Sequence, residues 1–415
     1  MSLQVALRAV LPLVLLAGCV GGRLPSPAPR RLTLTDSLVP APPREVGMSP
    51  EIQTRLDSII PAAIAGGAAP GAAVAVGRYG RLVVLKGYGD TDWEQGRVTP
   101  RLFPVTDSTI YDLASLTKVV ATTTAAMILE DEGKLQIDRP VAFYLPEFDD
   151  SSKAGITVRM LLTHRGGLEA FAPLYQTLRG REQYLQAINS RPLAYAPGTQ
   201  TVYSDWDFIL MQFIVEHITG EPLDRFVQER VFGPLGMSDT GYRPAAALRD
   251  RIAPTEVEPF RGGKVWGEVH DENAWALGGV SGHAGLFSSA RDLAVFAQML
   301  LNGGEYHGVR ILRPETIARW TARQYPGSSR ALGWDTPSPR SSAGHYFSPR
   351  SFGHTGFTGT SIWVDPQKDL FVVLLTNRVD PTRENERHIP LRRAVADAVQ
   401  RAVLDAPLRE WEEAP

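Results

Sequence analysis

Hydrophobic residues recur with the period of an α-helix in several segments of the chain. In residues 50–65 the apolar positions Ile52, Leu56, Ile59 and Ile60 fall on one helical face, a spacing that predicts an amphipathic helix. The segment from residue 289 opens with Ser289-Ala290-Arg291-Asp292, which resembles a capping box. Helical patterns of the same kind predict further helices over residues 115–132, 157–163, 207–218, 226–231, 289–301 and 391–404.

Short apolar runs typical of β-strands lie near both ends of the chain. Residues 72–76 and 82–85 flank a turn at residues 78–80, which predicts a β-hairpin, and residues 361–364 and 370–375 form a second pair of runs. We therefore predict an α/β (α+β) domain, in which both ends build an antiparallel sheet around an inserted, mainly helical region. The sheet region is assigned to about residues 47–105 and 290–410, and the helical region to about 106–289.

The first 46 residues follow a different pattern. Arg8 precedes an apolar run over residues 9–16 that is too short to span a bilayer, which indicates a signal peptide over residues 1–18. Leu16-Ala17-Gly18-Cys19 resembles a bacterial lipobox, which implies a lipid attached to Cys19 and a protein anchored to a membrane of the cell envelope. An ordinary secretory signal with an incidental cysteine is the alternative. Residues 19–46 contain six prolines and are predicted to be a tether to a domain over residues 47–410.

Composition narrows the classes of function. The chain has 415 residues, of which 43% are hydrophobic, which is enough for a sizeable core. Its formal net charge is −2, so it has no basic excess with which to bind nucleic acid. The single cysteine, Cys19, excludes both an intrachain disulfide and a cysteine-clustered metal site.

Ser115 and Lys118 stand three residues apart at the start of a predicted helix. This spacing puts both side chains on one helical face, one turn apart. A serine hydroxyl needs a base to become a nucleophile, and a lysine in a desolvated pocket can take part in that proton transfer. Taken alone, the pair is better explained as a serine at a helix N-terminus with a solvated lysine.

Two later motifs give the pair a context. Tyr203-Ser204-Asp205 precedes a predicted helix, and His354-Thr355-Gly356 precedes a predicted strand. In this order, with Ser115-Leu116-Thr117-Lys118, they resemble the S-x-x-K, Y-x-N and K-T-G elements of the serine β-lactamase and penicillin-binding-protein superfamily. The likeness is strongest to the class C branch, with its D-alanyl-D-alanine carboxypeptidases and esterases. It covers about residues 47–405 and is supported by the stretches 161–168, 231–237 and 278–286.

The resemblance implies a role for each motif residue. Ser115 would be the acylated nucleophile, Lys118 its proton partner, and Tyr203 a residue that shares the acid and base work. The backbone N–H groups of Ser115 and Phe357 would form the oxyanion hole. It also implies a β-lactamase-like fold, no metal and no organic cofactor.

The remaining motif positions line the substrate. Thr355 and Gly356 would belong to the strand edge beside which the substrate lies. Asp205 stands where the family usually has asparagine; a pairing with Lys118 would raise the lysine pKa and shift the base role to Tyr203. His354 stands where the family often has lysine and can be neutral near pH 7, so it is a weaker partner for a substrate carboxylate.

Several candidate residues keep alternative interpretations. Ser204-Asp205 also fits the S-D-N element of the class A branch, with Trp206 in the asparagine position. Arg378 could bind a substrate carboxylate, or it could be an ordinary ion-pair arginine. Residues 270–273, His-Asp-Glu-Asn, could bind a metal, although a polar loop is favoured. His164 and His283 are interpreted as structural loop histidines.

The sequence therefore predicts a lipid-anchored serine hydrolase with its catalytic domain outside the cytoplasm. The leading substrate is a peptidoglycan peptide ending in D-alanyl-D-alanine. An esterase or β-lactamase that uses the same site is the first alternative, and a catalytically silent penicillin-binding sensor is the second. No particular protein partner is indicated.

Overall fold

The computed structural model describes residues 38–93, 103–339 and 341–410. The predicted signal peptide, Cys19 and most of the predicted tether lie outside these residues. Within the described residues we find no helix whose length and hydrophobicity would let it cross a bilayer.

The described chain contains both β-strands and α-helices. The strands are β1 Val39–Pro40, β2 Gly71–Arg78, β3 Arg81–Gly89, β4 Ile110–Asp112, β5 Gly241–Tyr242, β6 Val257–Glu258, β7 Gly263–Lys264, β8 Leu286–Ser289, β9 Glu305–Tyr306, β10 Val309–Arg310, β11 Phe352–Thr355, β12 Ser361–Asp365 and β13 Leu370–Thr376.

The α-helices lie mainly between the two groups of long strands. They are α1 Glu51–Ala65, α2 Thr124–Asp131, α3 Val141–Tyr144, α4 Val158–Leu162, α5 Gly180–Ser190, α6 Asp205–Thr219, α7 Leu223–Val227, α8 Gly233–Leu235, α9 Glu272–Ala276, α10 Ala290–Leu301, α11 Pro314–Trp320 and α12 His388–Arg401. Two π-helical turns, Lys118–Thr123 and Gln228–Phe232, continue directly into α2 and α8.

The central sheet joins both ends of the domain in the order β1-β3-β2-β13-β12-β11. Its long strands pair antiparallel, and β1 pairs parallel with β3. The predicted architecture, an antiparallel sheet from the two ends with an inserted helical region, is thus confirmed. The inserted region also contains a small sheet in the order β4-β8-β5.

The central sheet is buried on both faces because its strands alternate between two apolar layers. Val74 and Val372 point into the layer that contains α1 and α12. Ala75 and Val373 point into the opposite layer, which contains α10 and the helical region. Side chains of a strand alternate between faces with a period of two, so each strand supplies both cores.

The structure differs from the prediction at the end of the tether. Residues 38–46, assigned to the tether from their prolines, include β1 and a 3₁₀ turn over Pro43–Val46 whose last residue is buried. Proline is tolerated in an edge strand because its missing N–H is not needed on the open side. The last helix begins at His388, three residues before its predicted start at residue 391. Pro390 lies in the first turn of this helix, where its missing N–H is tolerated because no intrahelical bond is required there.

Candidate active site

Ser115 follows β4 through a short strained turn. The residue before it, Ala114, has a φ of 46°, a left-handed conformation that costs a non-glycine residue about 1–2 kcal/mol. The buried carboxylate of Asp112 accepts the backbone N–H of Ala114 at 2.7 Å and that of His270 at 2.7 Å. Asp112 therefore holds the turn that presents Ser115 at the start of the helical segment.

Lys118 lies fully buried beneath Ser115 and donates three hydrogen bonds. Its Nζ is 3.0 Å from Ser115 Oγ, 2.8 Å from Asp205 Oδ1 and 3.2 Å from the carbonyl oxygen of His283. Burial by itself lowers the pKa of Lys118, but the charges of Asp205 and Tyr203 outweigh burial and the pKa lies above its usual value. Lys118 is therefore an ammonium near neutral pH and donates to Ser115 Oγ in that form.

Tyr203, predicted to share the acid and base work, also lies at this site. It lines the same cleft as Ser115. The Lys118 Nζ lies 4.7 Å from the centre of the Tyr203 ring, and the Arg330 Cζ lies 5.2 Å from it. Two cations therefore lie against the ring of Tyr203.

The position of Trp206 separates the two alignments of this motif. The S-D-N alternative puts Trp206 in the place of a substrate-facing asparagine. Trp206 is buried in the core with 2% of its surface exposed, whereas Tyr203 lines the cleft. The geometry therefore favours the Y-x-N alignment, with Asp205 in the asparagine place.

His354 lines the cleft. Its Nδ1 is 2.8 Å from the carbonyl oxygen of Thr355, so Nδ1 carries the proton and donates. Its Nε2 is buried and has no hydrogen-bond partner among the residues described. Burial, together with the charges of Arg330 and Lys118, holds the pKa of His354 well below its usual value. His354 is therefore neutral and does not replace the positive charge of the lysine that is common in this position.

The two backbone segments predicted to form the oxyanion hole are tied to each other. The Thr360 hydroxyl, in the turn between β11 and β12, donates to the carbonyl oxygen of Leu113 at 3.0 Å. A Cβ added at Gly356 would overlap that same carbonyl oxygen, so only glycine allows this approach. The chain from Gly356 to Phe357 thus runs close beside the turn that carries Ser115.

The cleft extends from Ser115 toward the N-terminus of α12 and has a volume of about 390 Å³. Its far end is rich in positive charge. The lining residues are Ser115, Tyr203, Arg330, Asp335, His354, Thr355, Gly356, Phe357, Arg378, Glu386, His388, Ile389 and Arg392.

Arg378 and Arg392 are buried and hold the turn that carries the predicted oxyanion donor. Arg378 Nε donates to the carbonyl of Phe357 at 2.7 Å, its Nη1 donates to the carbonyl of Asn385 at 2.9 Å, and its Cζ lies 4.3 Å above the centre of the Phe357 ring. Arg392 Nη2 donates to the carbonyl of Gly356 at 2.6 Å. The Arg392 Nε is buried without a partner among the described residues, at the wall of the cleft. Arg378 is therefore a cleft residue, and both arginines support the turn.

The stretch 270–273 does not converge on one point. His270 Nε2 lies 2.9 Å from Glu256, and Asp271 Oδ1 lies 2.8 Å from His283. The two side chains therefore bond separate partners, as a polar loop requires.

One group of possible metal ligands does lie next to Lys118. Carboxylate and imidazole atoms of Asp205, Asp271 and His283 lie within 4.8 Å of one another. These groups already have hydrogen-bond partners. Asp205 accepts from Lys118, and the two ring nitrogens of His283 are hydrogen-bonded to Asp271 and to Ser281, each at 2.8 Å. The cluster fixes the carbonyl of His283 that accepts from Lys118.

Three residues of the site were not predicted from the sequence. Asp112 stands three residues before Ser115, and an acid that ends a strand beside a nucleophile is a signal that could have found it. Arg330 lies in an irregular loop and Arg392 in the middle of a helix, and nothing in their local sequence indicates a cleft.

Comparisons with known proteins show the family of this chain. The family model described as Beta-lactamase matches residues 56–397. A protein of Escherichia coli K12 named "Putative D-alanyl-D-alanine carboxypeptidase" is 38% identical over 333 residues, which cover 72% of this chain and 76% of that protein.

Solved structures share the fold. The hydrolase EstCE1, described as having promiscuous acyltransferase activity, matches with a TM-score of 0.67 and 25% identity over 84% of this chain and 98% of its own. A class C β-lactamase matches with a TM-score of 0.68 and 20% identity over the same shares of the two chains, a similarity that concerns the fold alone.

Proposed function

This chain belongs to the Beta-lactamase family of serine hydrolases, and on that premise we propose that it is a D-alanyl-D-alanine carboxypeptidase of the cell envelope that works through an ester on Ser115. The observation that carries the proposal is the contact of a buried, protonated Lys118 with both Ser115 Oγ and Asp205. Tyr203 and a cation-rich cleft lie on the open side of the same serine. The relatives named as carboxypeptidases support the choice of substrate.

Acylation follows from the protonation of the site. Ser115 Oγ attacks the carbonyl carbon of the scissile peptide bond while Tyr203, in its phenolate form, takes the hydroxyl proton. The oxygen of the tetrahedral intermediate accepts from the N–H groups of Ser115 and Phe357. Tyr203 then gives the proton to the leaving amine, the C–N bond breaks, and terminal D-alanine departs.

Deacylation uses the same groups with water in place of the serine. Tyr203 takes a proton from water, whose oxygen attacks the ester carbonyl. As the ester bond breaks, Tyr203 returns the proton to Ser115 Oγ. Lys118 stays an ammonium throughout and holds Ser115 Oγ toward the substrate.

The charge of the cleft supports a substrate that ends in a carboxylate. His354 is neutral, so the attraction for an anion comes from Arg330, Arg378 and Arg392. These three arginines line the cleft, where a guanidinium can pair with a carboxylate.

The nucleophile is tested by covalent labelling. Wild-type protein should react with a fluorescent penicillin and with a fluorophosphonate, and Ser115→Ala should abolish both reactions because the acylated oxygen is gone. Labelling that persists in Ser115→Ala would exclude Ser115 as the nucleophile.

The substrate is tested with a panel. A D-alanyl-D-alanine peptide, a short acyl ester and nitrocefin would be compared by kcat/KM, and release of D-alanine as the fastest reaction supports the proposal. Faster ester hydrolysis would instead favour an esterase, a second candidate supported by the neutral His354 and by the likeness to EstCE1. Labelling without turnover of any substrate would identify a penicillin-binding sensor.

We further propose that the chain is secreted and anchored through a lipid on Cys19. The support for this location is the lipobox-like sequence before that cysteine. A carboxypeptidase in this place would lie beside its peptidoglycan substrate.

A further inference from the structure

His164 contacts the Tyr203 ring and the backbone on both sides of Tyr203. Its carbonyl oxygen accepts the backbone N–H of Val202 at 2.9 Å, and its ring Nδ1 accepts that of Ser204 at 3.2 Å. Its ring packs against the Tyr203 ring with the two centres 4.4 Å apart. One residue from a separate loop therefore holds the backbone on both sides of Tyr203 as well as the side chain itself.

His164 is in turn held in an unusual conformation by a buried acid. Its φ is 56°, in the left-handed region, and its Nδ1 lies 2.9 Å from Asp207 Oδ2. Both side chains are 1% exposed. Tyr195 adds a third bond by donating its hydroxyl to the His164 carbonyl oxygen at 3.2 Å. A strained residue kept in place by this many contacts is typical of a functional site.

The hydrogen bonds determine where the proton of the pair lies. Because the Ser204 N–H donates to Nδ1, that nitrogen presents its lone pair and carries no proton. With Nδ1 as the acceptor, the proton between Nδ1 and Asp207 belongs to the carboxylic acid, both partners are neutral, and the Ser204 N–H and the Asp207 O–H share the one Nδ1 lone pair. In agreement, burial and the charge of Asp205 hold the pKa of Asp207 well above its usual value. Burial and the charges of Arg330 and Lys118 hold the pKa of His164 well below its own.

We infer that His164, kept in place by a protonated Asp207, is a positioning residue that aims the phenolic oxygen of Tyr203 at the Ser115 proton. The inference rests on the proposed function, because it needs Tyr203 to act on Ser115. A neutral pair suits this place, since it orients the tyrosine without adding a charge beside Lys118. The sequence-based interpretation of His164 as a structural loop histidine is thereby extended to a role in catalysis.

A double-mutant cycle separates this role from simple support of the fold. The rate of Ser115 labelling by a fluorophosphonate would be measured for wild type, His164→Asn, Tyr203→Phe and the double variant. Asparagine tolerates a positive φ and can still accept the Ser204 N–H. We expect His164→Asn to slow labelling by about 30-fold when Tyr203 is present and by less than about 3-fold in Tyr203→Phe, because a positioning effect vanishes with the group that is positioned.

Two variants of Asp207 test the proton assignment and provide a second cycle if His164→Asn does not fold. Asp207→Asn should label within about 3-fold of wild type, because its amide N–H can donate to Nδ1 as the acid does. Asp207→Leu removes the donor and should behave like His164→Asn, again only when Tyr203 is present. A loss in Asp207→Asn as large as in Asp207→Leu would overturn the neutral pair.

The cycle also distinguishes failure of this inference from failure of the proposed function. An equal loss on substitution of His164 with and without Tyr203 would overturn the positioning role while leaving Ser115 as nucleophile. Wild-type protein that is not labelled at Ser115 would overturn the proposed function and this inference with it.

Discussion

At the residue scale, the position of Ser115 depends on Asp112, which does not itself line the cleft. Asp112 keeps Ala114 in a left-handed turn by accepting two buried backbone N–H groups. Buried donors are almost always satisfied, and leaving one without a partner costs about 1–3 kcal/mol. The acid therefore stabilises the one backbone geometry in which the serine faces the cleft.

Replacement of Asp112 should thus affect stability and reactivity together. Asp112→Ala leaves both N–H groups unsatisfied and should lower the free energy of unfolding by about 2–4 kcal/mol, as measured by urea denaturation, with slower labelling of Ser115. Asp112→Asn keeps one acceptor oxygen and should lose about half as much. Equal stability of Asp112→Ala and wild type would contradict the role assigned to this acid.

The pairing of Lys118 with Asp205 makes a prediction about pH. The Asp205 charge raises the pKa of Lys118 against the effect of burial, so its removal in Asp205→Asn should lower that pKa. Since the ammonium form is the one that orients Ser115, activity should be kept at pH values below the Lys118 pKa and lost as pH rises through it. The alkaline limb of kcat/KM should therefore move to lower pH in Asp205→Asn.

The control for this experiment is Asp138→Asn, which removes a carboxylate of the same charge from an exposed ion pair with Arg159. Its alkaline limb should stay in the wild-type position. An unchanged limb in Asp205→Asn as well would show that Lys118 does not need its proton.

The sequence predicted the part of this site that is formed by residues close together in the chain. Ser115 and Lys118 are one helical turn apart, and the structure places them 3.0 Å apart. The partners that set their chemistry come from distant segments: Arg330 and Arg392 meet the site only through tertiary packing. Local patterns do not carry such contacts, so these residues could not be found before the fold was known.

At the element scale, long amphipathic segments could be predicted and short paired ones could not. α1, α6 and α10 have enough turns to show a clear period, and their predictions are confirmed. β11 has only four residues, and its place comes from antiparallel pairing with β12, in which His354 lies opposite Ile362. A strand of that length shows too few alternations for its period to be read.

The turn after β11 has no room for a side chain at Gly356. Gly356→Ala would put a Cβ into the carbonyl oxygen of Leu113 and push the turn away from Ser115. Loss of one oxyanion donor costs about 10²–10³ in rate, so labelling of Ser115 should slow by about 100-fold, while circular dichroism shows a folded protein. The matched control is Gly155→Ala, where the added Cβ meets nothing within 4 Å and activity should stay the same. Wild-type labelling of Gly356→Ala would argue against a close approach of the two segments.

At the scale of the whole molecule, the sheet closes the domain by pairing the first strands with the last. β2 pairs with β13 along seven residue pairs, so the two ends of the domain are joined in one element. Sequence order predicted this closure, because strands occur at both ends and helices between them. Residues 38–46 were wrongly assigned to the tether. Pairing with β3 keeps β1 in place, and β1 has no periodic pattern of its own from which it could be predicted.

The proposed lipid on Cys19 would attach the folded domain to a membrane. Cys19 lies nineteen residues before Leu38 in the sequence. Each buried methylene of an acyl chain contributes about 0.8 kcal/mol to membrane binding, and more than one chain gives stable anchoring. Cys19→Ser should therefore move the protein from the membrane fraction to the soluble fraction and abolish metabolic labelling with a palmitate analogue. Activity toward a soluble substrate should not change, because the substitution lies outside the catalytic domain. Membrane association and lipid labelling that persist in Cys19→Ser would refute attachment at this residue.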